Sequence, residues 1–326
     1  MRQSKFLRWL LEPEPPGLGI EFRAEEMVLA RLVERRGRSE LDLCLKTPIP
    51  SGLIEFSMLE PNIKEPEALA RFLRQILDRA GVRGRRVALT LPDTLARVST
   101  QSLPSVPRSR DELSELLRFR LKKLLPFDVS QARLSFQAVP GEANSFLTGV
   151  MHSEVVSQYE SFLEELGFHP GVVEISTLSL LNLWSPVVAR ELVPQSDYFF
   201  VNLEESYFTI MLVRDREVPV LVRTLGQRAS SDTGLRYDRD ELVREIVPTV
   251  IFYREKLEGD ALARVYYRSL RPDLDDVGDL LSEQFEVLAE PFDLHRALAV
   301  GSALAVDEGL ASTVGAAAGA AIGNVA

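Results

Sequence analysis

Cysteine and long apolar runs are nearly missing from this sequence. Cys44 is the only cysteine among 326 residues, so no disulfide can form within the chain, which is typical of a protein from a reducing compartment. No uninterrupted apolar run reaches the length of about 18 residues that a transmembrane helix requires. The apolar stretch near the N-terminus is short and has no small-residue cleavage site, so we predict no secretory signal.

Positive charge is also in deficit. The chain has 38 Lys and Arg against 48 Asp and Glu, which gives a net charge of −10. An acidic surface disfavours non-specific nucleic-acid binding, because basic side chains are needed to neutralise phosphates. With 45% hydrophobic and 26% charged residues, the chain can still bury a sizeable core, and its length favours about two domains.

Residues with the chemistry of a catalytic or metal site are few and scattered. The histidines His152, His169 and His295 have no short-range metal-ligand spacing. No nucleophile signature surrounds the candidate nucleophiles, which are Ser206, Ser302 and Cys44. The acidic cluster at residues 273–279 lacks the terminal glutamate of a calcium loop. We therefore predict no catalytic residue and no metal site.

The N-terminal segment, residues 1–17, stands apart from the rest. Residues 1–11 interleave apolar side chains with Arg2, Lys5 and Arg8, a composition that favours contact with an anionic membrane surface. A frayed or self-docked terminus would have the same composition. The proline-rich residues 12–17 are predicted to be a stiff linker into the fold.

One pattern of elements occurs twice in the chain. Residues 18–22, 27–33 and 40–46 predict an antiparallel meander, which an amphipathic helix at residues 69–80 and a strand at residues 86–91 follow. The meander recurs at residues 198–203, 207–213 and 218–224, and a helix again follows it, at about residues 240–257. A duplicated α/β lobe is the simplest explanation.

Residues 93–151 interrupt this pattern. They contain an amphipathic helix and two strands, at residues 134–139 and 146–151, and predict a small inserted subdomain. The expected division is residues 1–17 for the terminal segment, 18–92 with 152–196 for the first lobe, 93–151 for the insertion and 197–326 for the second lobe. The small residues of the tail, 312–326, predict a buried helix.

The inserted block resembles the type IV pilus assembly protein family PilM. The resemblance is carried by Leu103-Pro104, by ELSELL at residues 112–117, by KLLPFD at 123–128 and by LSFQAV at 134–139. Related families are FtsA, GspL and MshI. The resemblance implies an α/β, actin-like (ribonuclease H-like) fold with duplicated lobes and a small α+β insertion in the first lobe.

The same resemblance implies a function. PilM-like proteins are cytoplasmic, lie against the inner membrane and bind the N-terminal segment of PilN, a single-pass membrane protein, in a groove beside the inserted subdomain. We expect Leu91, Leu121, Leu124 and Phe127 to contact such a partner, although each could instead fill the core. The cytoplasmic part of a GspL- or MshI-like secretion component is an alternative.

Actin-like ATPases hold phosphate in two hairpin turns that are rich in glycine and small hydroxyl residues. Here Glu21 takes the acidic place of the first turn and Arg23 the glycine place, whereas Asn202 and Glu204 take these places in the second. The turns are therefore predicted to be vestigial, with no ATP or Mg²⁺ cofactor, and the chain to be a pseudo-ATPase. The alternative is that the backbone still accepts nucleotide, as in an active ATPase or phosphotransferase.

Overall fold

The structure is a computed structural model that describes residues 15–323 except 36, 83–85, 140–141, 217, 227–236, 303 and 305. The basic and apolar residues 1–11, most of their linker and the last three residues of the predicted C-terminal helix lie outside the described residues. None of the helices in the described part combines the length and the apolar character that crossing a membrane requires.

The described residues form fourteen strands and eight helices. The strands are β1 Leu18–Phe22, β2 Glu26–Arg35, β3 Arg38–Pro48, β4 Arg86–Leu91, β5 Ala96–Ser102, β6 Ala132–Ala138, β7 Ser145–His152, β8 His169–Ile175, β9 Asp197–Leu203, β10 Tyr207–Arg214, β11 Val218–Gly226, β12 Leu262–Ser269, β13 Ala289–Pro291 and β14 Ala299–Val300. The helices are α1 Pro66–Arg79, α2 Arg110–Leu121, α3 Ser153–Glu165, α4 Ser176–Glu191, α5 Arg239–Glu255, α6 Val277–Phe285, α7 Leu294–Ala297 and α8 Glu308–Ile322.

Two sheets share one topology. The first has the order β14-β3-β2-β1-β4-β8 and the second the order β11-β10-β9-β12-β13. In each, an antiparallel meander (β1–β3 or β9–β11) is continued by strands parallel to its first member, β4 beside β1 and β12 beside β9. The predicted duplication is confirmed, and the reason lies in the sequence, because both copies use the same alternation of short apolar strands and turns.

Helices α4 and α8 form the centre of the molecule. They pack on each other, and α8 also lies against β1, β2 and β4. Their apolar residues share one core cluster with side chains of both sheets, among them Val28, Trp184 and Phe200. The buried C-terminal helix predicted from small residues is confirmed, since Ala316, Ala317 and four further alanines of α8 are buried. Although α8 and β14 follow the second sheet in sequence, they join the first.

The inserted block forms a sheet of its own, with the order β5-β7-β6. Helix α2 covers one face and buries Leu113 and Leu117 with Phe146 of β7. Ser109 caps the helix, accepting a hydrogen bond from the Glu112 N–H at 3.1 Å. The predicted helix and strands are present, and the exact division of the chain into lobes stays a prediction.

Candidate functional site

Two corresponding turns face each other between the sheets. In the β1–β2 turn, the Arg23 N–H donates to the Glu26 carbonyl at 2.9 Å, and in the β9–β10 turn the Glu204 N–H donates to the Tyr207 carbonyl, also at 2.9 Å. Glu21 and Asn202 correspond as well, because each lies two residues before the first residue of its turn. Positions 23 and 204 thus correspond, but they carry opposite charges. Their side chains meet, with Arg23 Nε 3.9 Å from a Glu204 carboxylate oxygen.

Arg23 is buried inside this gap, only 7% exposed. One of its terminal nitrogens donates to Glu26 at 2.7 Å, and the other donates to Glu21 at 2.9 Å and to the Thr313 carbonyl of α8. Its Nε has no hydrogen-bond partner among the described residues. The side chain therefore joins the first turn to the second turn and to the C-terminal helix.

Arg268 of β12 completes the charge cluster from the opposite side. Its side chain is fully buried and donates to Glu204 at 2.5 Å and to Asn202 Oδ1 at 3.0 Å. Another nitrogen donates to the Ser312 carbonyl of α8 at 2.6 Å. Glu21 lies 3.9 Å away. We call Glu21, Arg23, Glu204 and Arg268 the ionic cluster.

Glu204 and Arg23 are held in the ionised state by the opposite charges around them. Burial by itself would raise the pKa of Glu204, but Arg268 and Arg23 outweigh it and hold that pKa below its ordinary value. Burial would likewise lower the pKa of Arg23, and Glu21 and Glu204 raise it instead. Removing one member would leave its partner charged and buried, which is strongly unfavourable.

A polar network continues from the ionic cluster towards the inserted subdomain. The Ser176 hydroxyl donates to Glu21 at 3.2 Å, and Asn202 donates to Thr177 at 3.0 Å. The Thr177 N–H donates to the fully buried Asp93 carboxylate at 2.9 Å. The Thr209 hydroxyl of β10 donates to the same carboxylate at 2.6 Å. Burial raises the pKa of Asp93 to about 6 despite these hydrogen bonds. Asp93 thus ties the entrance of the inserted subdomain to helix α4 and to the second sheet.

A cleft of about 870 Å³ opens in front of the ionic cluster. It is lined by Glu21, Arg23 and Glu204 of the ionic cluster, by Ile54, Phe56 and Met58 of the loop before α1, and by Val98 of β5 and Val222 of β11. The cleft therefore lies beside the inserted subdomain and combines charged and apolar lining residues.

The loop that carries Ile54, Phe56 and Met58 is held in place from beneath. The buried Asn62 amide donates to the Ser57 carbonyl at 2.7 Å and to the Glu60 carbonyl at 2.8 Å. The Gln158 side-chain amide of α3 accepts from the Ile63 N–H and donates to the Ile63 carbonyl, each at 2.9 Å. Phe56 and Met58 remain half-buried at the cleft. A rigid loop presents apolar side chains at a low entropic cost for binding.

The four predicted partner contacts are not brought together. Leu91 is 0% exposed in the core of the first lobe, and Leu121 is 1% exposed beneath the inserted sheet. Both fill the core, as the alternative interpretation held, because they lie on the inward faces of β4 and α2. Leu124 is 44% exposed, and Phe127 is half-buried against His152, with ring centroids 4.9 Å apart. None of the four lines the cleft.

Several residues of the site were missed by the sequence reasoning. Arg268 gave one usable signal, a charge that directly follows the apolar run Val265-Tyr-Tyr267. The alternating Ile54, Phe56 and Met58 between turn residues gave another. Thr313 gave none, because it acts through its backbone carbonyl. Among the described residues, no group of three or more His, Cys, Asp or Glu side chains is close enough to hold a metal ion.

Comparison with solved structures identifies the fold. A chain of a PilM–PilN type IV pilus biogenesis complex matches with a TM-score of 0.78 at 21% sequence identity, over 95% of this chain and 98% of that chain. The two chains share one fold. The predicted actin-like architecture and its resemblance to PilM are thereby confirmed at the level of the fold.

Two further structures are similar. A Bacteroides thetaiotaomicron protein with an actin-like ATPase fold and unknown function has a TM-score of 0.51 at 10% identity, over 86% of this chain and 91% of that one. The cytoplasmic domain of EpsL, an inner-membrane component of the Vibrio cholerae type II secretion system, has a TM-score of 0.46 at 11% identity, over 77% and 81%. No protein-family model matches the sequence, and no curated protein sequence matches it.

Proposed function

We propose that this chain is a non-catalytic, cytoplasmic adaptor of the PilM type. It lies against the inner membrane and holds the N-terminal segment of a PilN-like single-pass membrane protein, which links the pilus platform to cytoplasmic components. The observation that carries the proposal is the ionic cluster. Arg23 and Arg268 pair with Glu21 and Glu204 at the turns at which an actin-like ATPase would bind phosphate and metal.

The residues present do not fit Mg-ATP. Glu21 and Glu204 are the acids of the ionic cluster, and each already faces guanidinium groups. Arg23 takes the space in which a glycine would let backbone N–H groups approach a phosphate. Binding a triphosphate would require breaking buried ion pairs and exposing its charge to unpaired carboxylates, which is costly at low dielectric.

The cleft supports an extended peptide as the ligand. Its apolar walls, at Ile54, Phe56, Met58, Val98 and Val222, can receive alternate side chains of a strand-like segment. A volume of about 870 Å³ falls within the range of ordinary ligand sites. The similar solved structure is that of a PilM–PilN complex, which agrees with this choice of ligand. Leu124 and Phe127 stay candidate contacts at the outer side of the inserted subdomain.

The proposal is tested by peptide binding. A fluorescent peptide copying the N-terminal segment of the PilN-like protein from the same organism is titrated with the full chain, and anisotropy is measured. Phe56→Ser and Met58→Ser should each weaken binding about tenfold or more, because each loses an apolar contact. Leu59→Ser is the matched control, since Leu59 is in the same loop, 46% exposed, but does not line the cleft. Equal loss in all three variants, or no binding, would reject this site.

Nucleotide binding provides the opposing test. A ligand at 100 times its dissociation constant adds about 2.7 kcal/mol to the stability of the state that binds it. We expect millimolar Mg-ATP to leave the thermal unfolding midpoint unchanged. A dose-dependent rise would contradict the non-catalytic assignment and favour an ATPase or phosphotransferase.

A further inference from the structure

The second half of α2 and the turn after it carry an exposed aromatic ring surrounded by cations. Phe119 is 75% exposed, the highest value among the large apolar side chains of the described residues. Arg120, Lys122 and Lys123, all exposed, surround it in sequence. Lys122 follows Phe119 by three residues at the C-cap of α2, and Lys123 lies in the turn after it. We call these four residues the cationic patch.

The cations of the patch are mostly unneutralised. Within the described part of the chain, neither Arg120 nor Lys123 forms an ion pair, whereas Glu115, the nearest acid on the helix, pairs with Arg118 at 3.9 Å. Hydrogen bonds from Ser130 and the nearby charge of Lys122 lower the pKa of Asp128. An excess of positive charge on a chain with a net charge of −10 is a local feature that complements an anionic surface.

The usual structural role of such residues accounts for only part of the patch. Cations near a helix C-terminus stabilise its macrodipole, which amounts to about half a negative charge. That role explains Arg118 and Arg120, but it requires neither the additional Lys122 and Lys123 nor a protruding phenyl ring. Leaving Phe119 in water instead of burying it forgoes stabilisation.

The patch is also rigid. Arg118 extends from the helix across the following segment and donates to the Val129 carbonyl at 3.0 Å and the Ala132 carbonyl at 2.9 Å. The helix face is further anchored by Leu117 and Leu121, which are 0% and 1% exposed in the core of the inserted subdomain. Phe119 is therefore held outward, and with three quarters of its surface exposed it is not enclosed by other side chains.

We propose that the cationic patch docks the inserted subdomain onto an anionic lipid surface. Lysine and arginine side chains near such a surface each attract anionic headgroups, and an aromatic ring inserts at the level of the headgroups without needing a preformed pocket. A folded acidic protein would have to supply a pocket shaped for Phe119, so a protruding ring beside exposed cations favours the bilayer. The contact is separate from the cleft and does not depend on what the cleft binds.

Sedimentation of the full chain with lipid vesicles tests the proposal. The wild type should bind phosphatidylcholine vesicles that contain phosphatidylglycerol, and bind pure phosphatidylcholine weakly. Lys122→Glu with Lys123→Glu should reduce the affinity more than about twentyfold, since each cation contributes about fivefold. Phe119→Ser should reduce it about tenfold.

Two controls match these variants. Arg71→Glu with Arg74→Glu makes the same change of net charge on exposed positions of α1, and Val193→Ser removes another apolar side chain, 71% exposed. Both should remain within about twofold of the wild type, because neither touches the patch. Equal losses in the control variants would show a response to overall charge alone and would overturn the proposal.

The N-terminal segment, residues 1–11, is tested separately as a second membrane contact. One triple variant combines Arg2→Glu, Lys5→Glu and Arg8→Glu. If this variant abolishes binding while Phe119→Ser leaves it unchanged, the proposal is overturned. In a Trp9→Phe background, Phe119→Trp should give a blue-shifted emission with anionic vesicles, and no shift would likewise overturn it. Binding of polyglutamate that requires Phe119, with vesicle binding that does not, would assign the patch to an acidic protein instead.

Discussion

Arg268 provides the sharpest prediction for a single residue. It is fully buried and pairs with Glu204, so Arg268→Met would leave two carboxylates of the ionic cluster with one cation fewer. Breaking a buried pair in this way costs about 3–5 kcal/mol. We expect the free energy of unfolding, measured by urea titration, to fall by that amount.

Arg254→Met is the control, because Arg254 and Glu286 form an exposed pair in the same lobe that contributes about 1 kcal/mol at most. Similar losses would contradict the role of the cluster.

Asp93 gives a prediction about pH. Its folded-state pKa of about 6 exceeds the ordinary value of about 3.9, so the folded protein binds this proton more tightly than the unfolded chain does. Asp93 therefore adds stability as the pH falls below about 6, and this gain is lost as the pH rises through 6. Glu204 acts oppositely, because its lowered pKa makes its contribution disappear as the pH falls.

Asp93→Asn isolates this effect. The amide oxygen can still accept from the Thr177 N–H, and its nitrogen can donate to the hydroxyls of Thr177 and Thr209. From about pH 8 to about pH 5, the unfolding free energy of the wild type should rise relative to that of the variant by on the order of 1 kcal/mol. A difference that is constant with pH would contradict the raised pKa.

The individual site residues could be predicted only in part. Local patterns locate the hairpin turns that carry Glu21, Arg23, Asn202 and Glu204, and the resemblance to actin-like proteins drew attention to these positions. That Arg23 and Glu204 would neutralise each other could not be predicted, since their contact depends on how two distant turns face each other. The same holds for Arg268, whose partners in β9 and α8 lie about 44 to 66 positions away in the chain.

Helix α8 gives a prediction at the level of an element. A Cβ on Gly19 would lie 1.9 Å from the Ala317 carbonyl oxygen, and one on Gly319 would lie 1.8 Å from the Ser179 carbonyl oxygen. These glycines let α8 approach β1 and α4 backbone to backbone. Gly319→Ala should therefore move the helix and destabilise the protein by several kcal/mol, as measured by thermal unfolding.

Gly309→Ala is the matched control, because Gly309 is an exposed residue of the same helix, where an added Cβ meets nothing closer than 3.5 Å. Alanine has a higher helix propensity than glycine, so this variant should be neutral or up to about 1 kcal/mol more stable. If both alanine variants behaved alike, close backbone packing would not be what holds α8.

Most elements were predictable because their apolar periodicity is strong. The loop at residues 53–64 was not, since Asn62 and Gln158 order it through hydrogen bonds, one of them across 95 positions of sequence. Burial within an element was also harder to predict than its existence. The apolar face of α2 was recognised from the sequence, but the pattern alone left Leu121 either in the core or on the partner surface. Its packing against Val150 places it in the core.

For the whole molecule, the ionic cluster closes the gap between the lobes with side chains where an ATPase would use a ligand. Arg23 connects the first turn to the second turn and to α8, so its removal should let α8 and the second turn detach from the first turn at a lower free energy than global unfolding. Hydrogen exchange measures such sub-global opening directly. In Arg23→Met, the amides of α8 should exchange at least about tenfold faster than in the wild type, while those of β3 keep most of their protection.

Arg31→Met separates this effect from a general loss of stability. Arg31 forms its ion pair with Asp42 inside the first sheet, so it does not connect the lobes, and its removal should change exchange little in α8. Mg-ATP should not restore protection in Arg23→Met, because the remaining Glu21 and Glu204 repel phosphate. Restored protection would mean that the arginine replaces a nucleotide that the fold still accepts, and unchanged exchange would mean that the apolar core alone holds the lobes together.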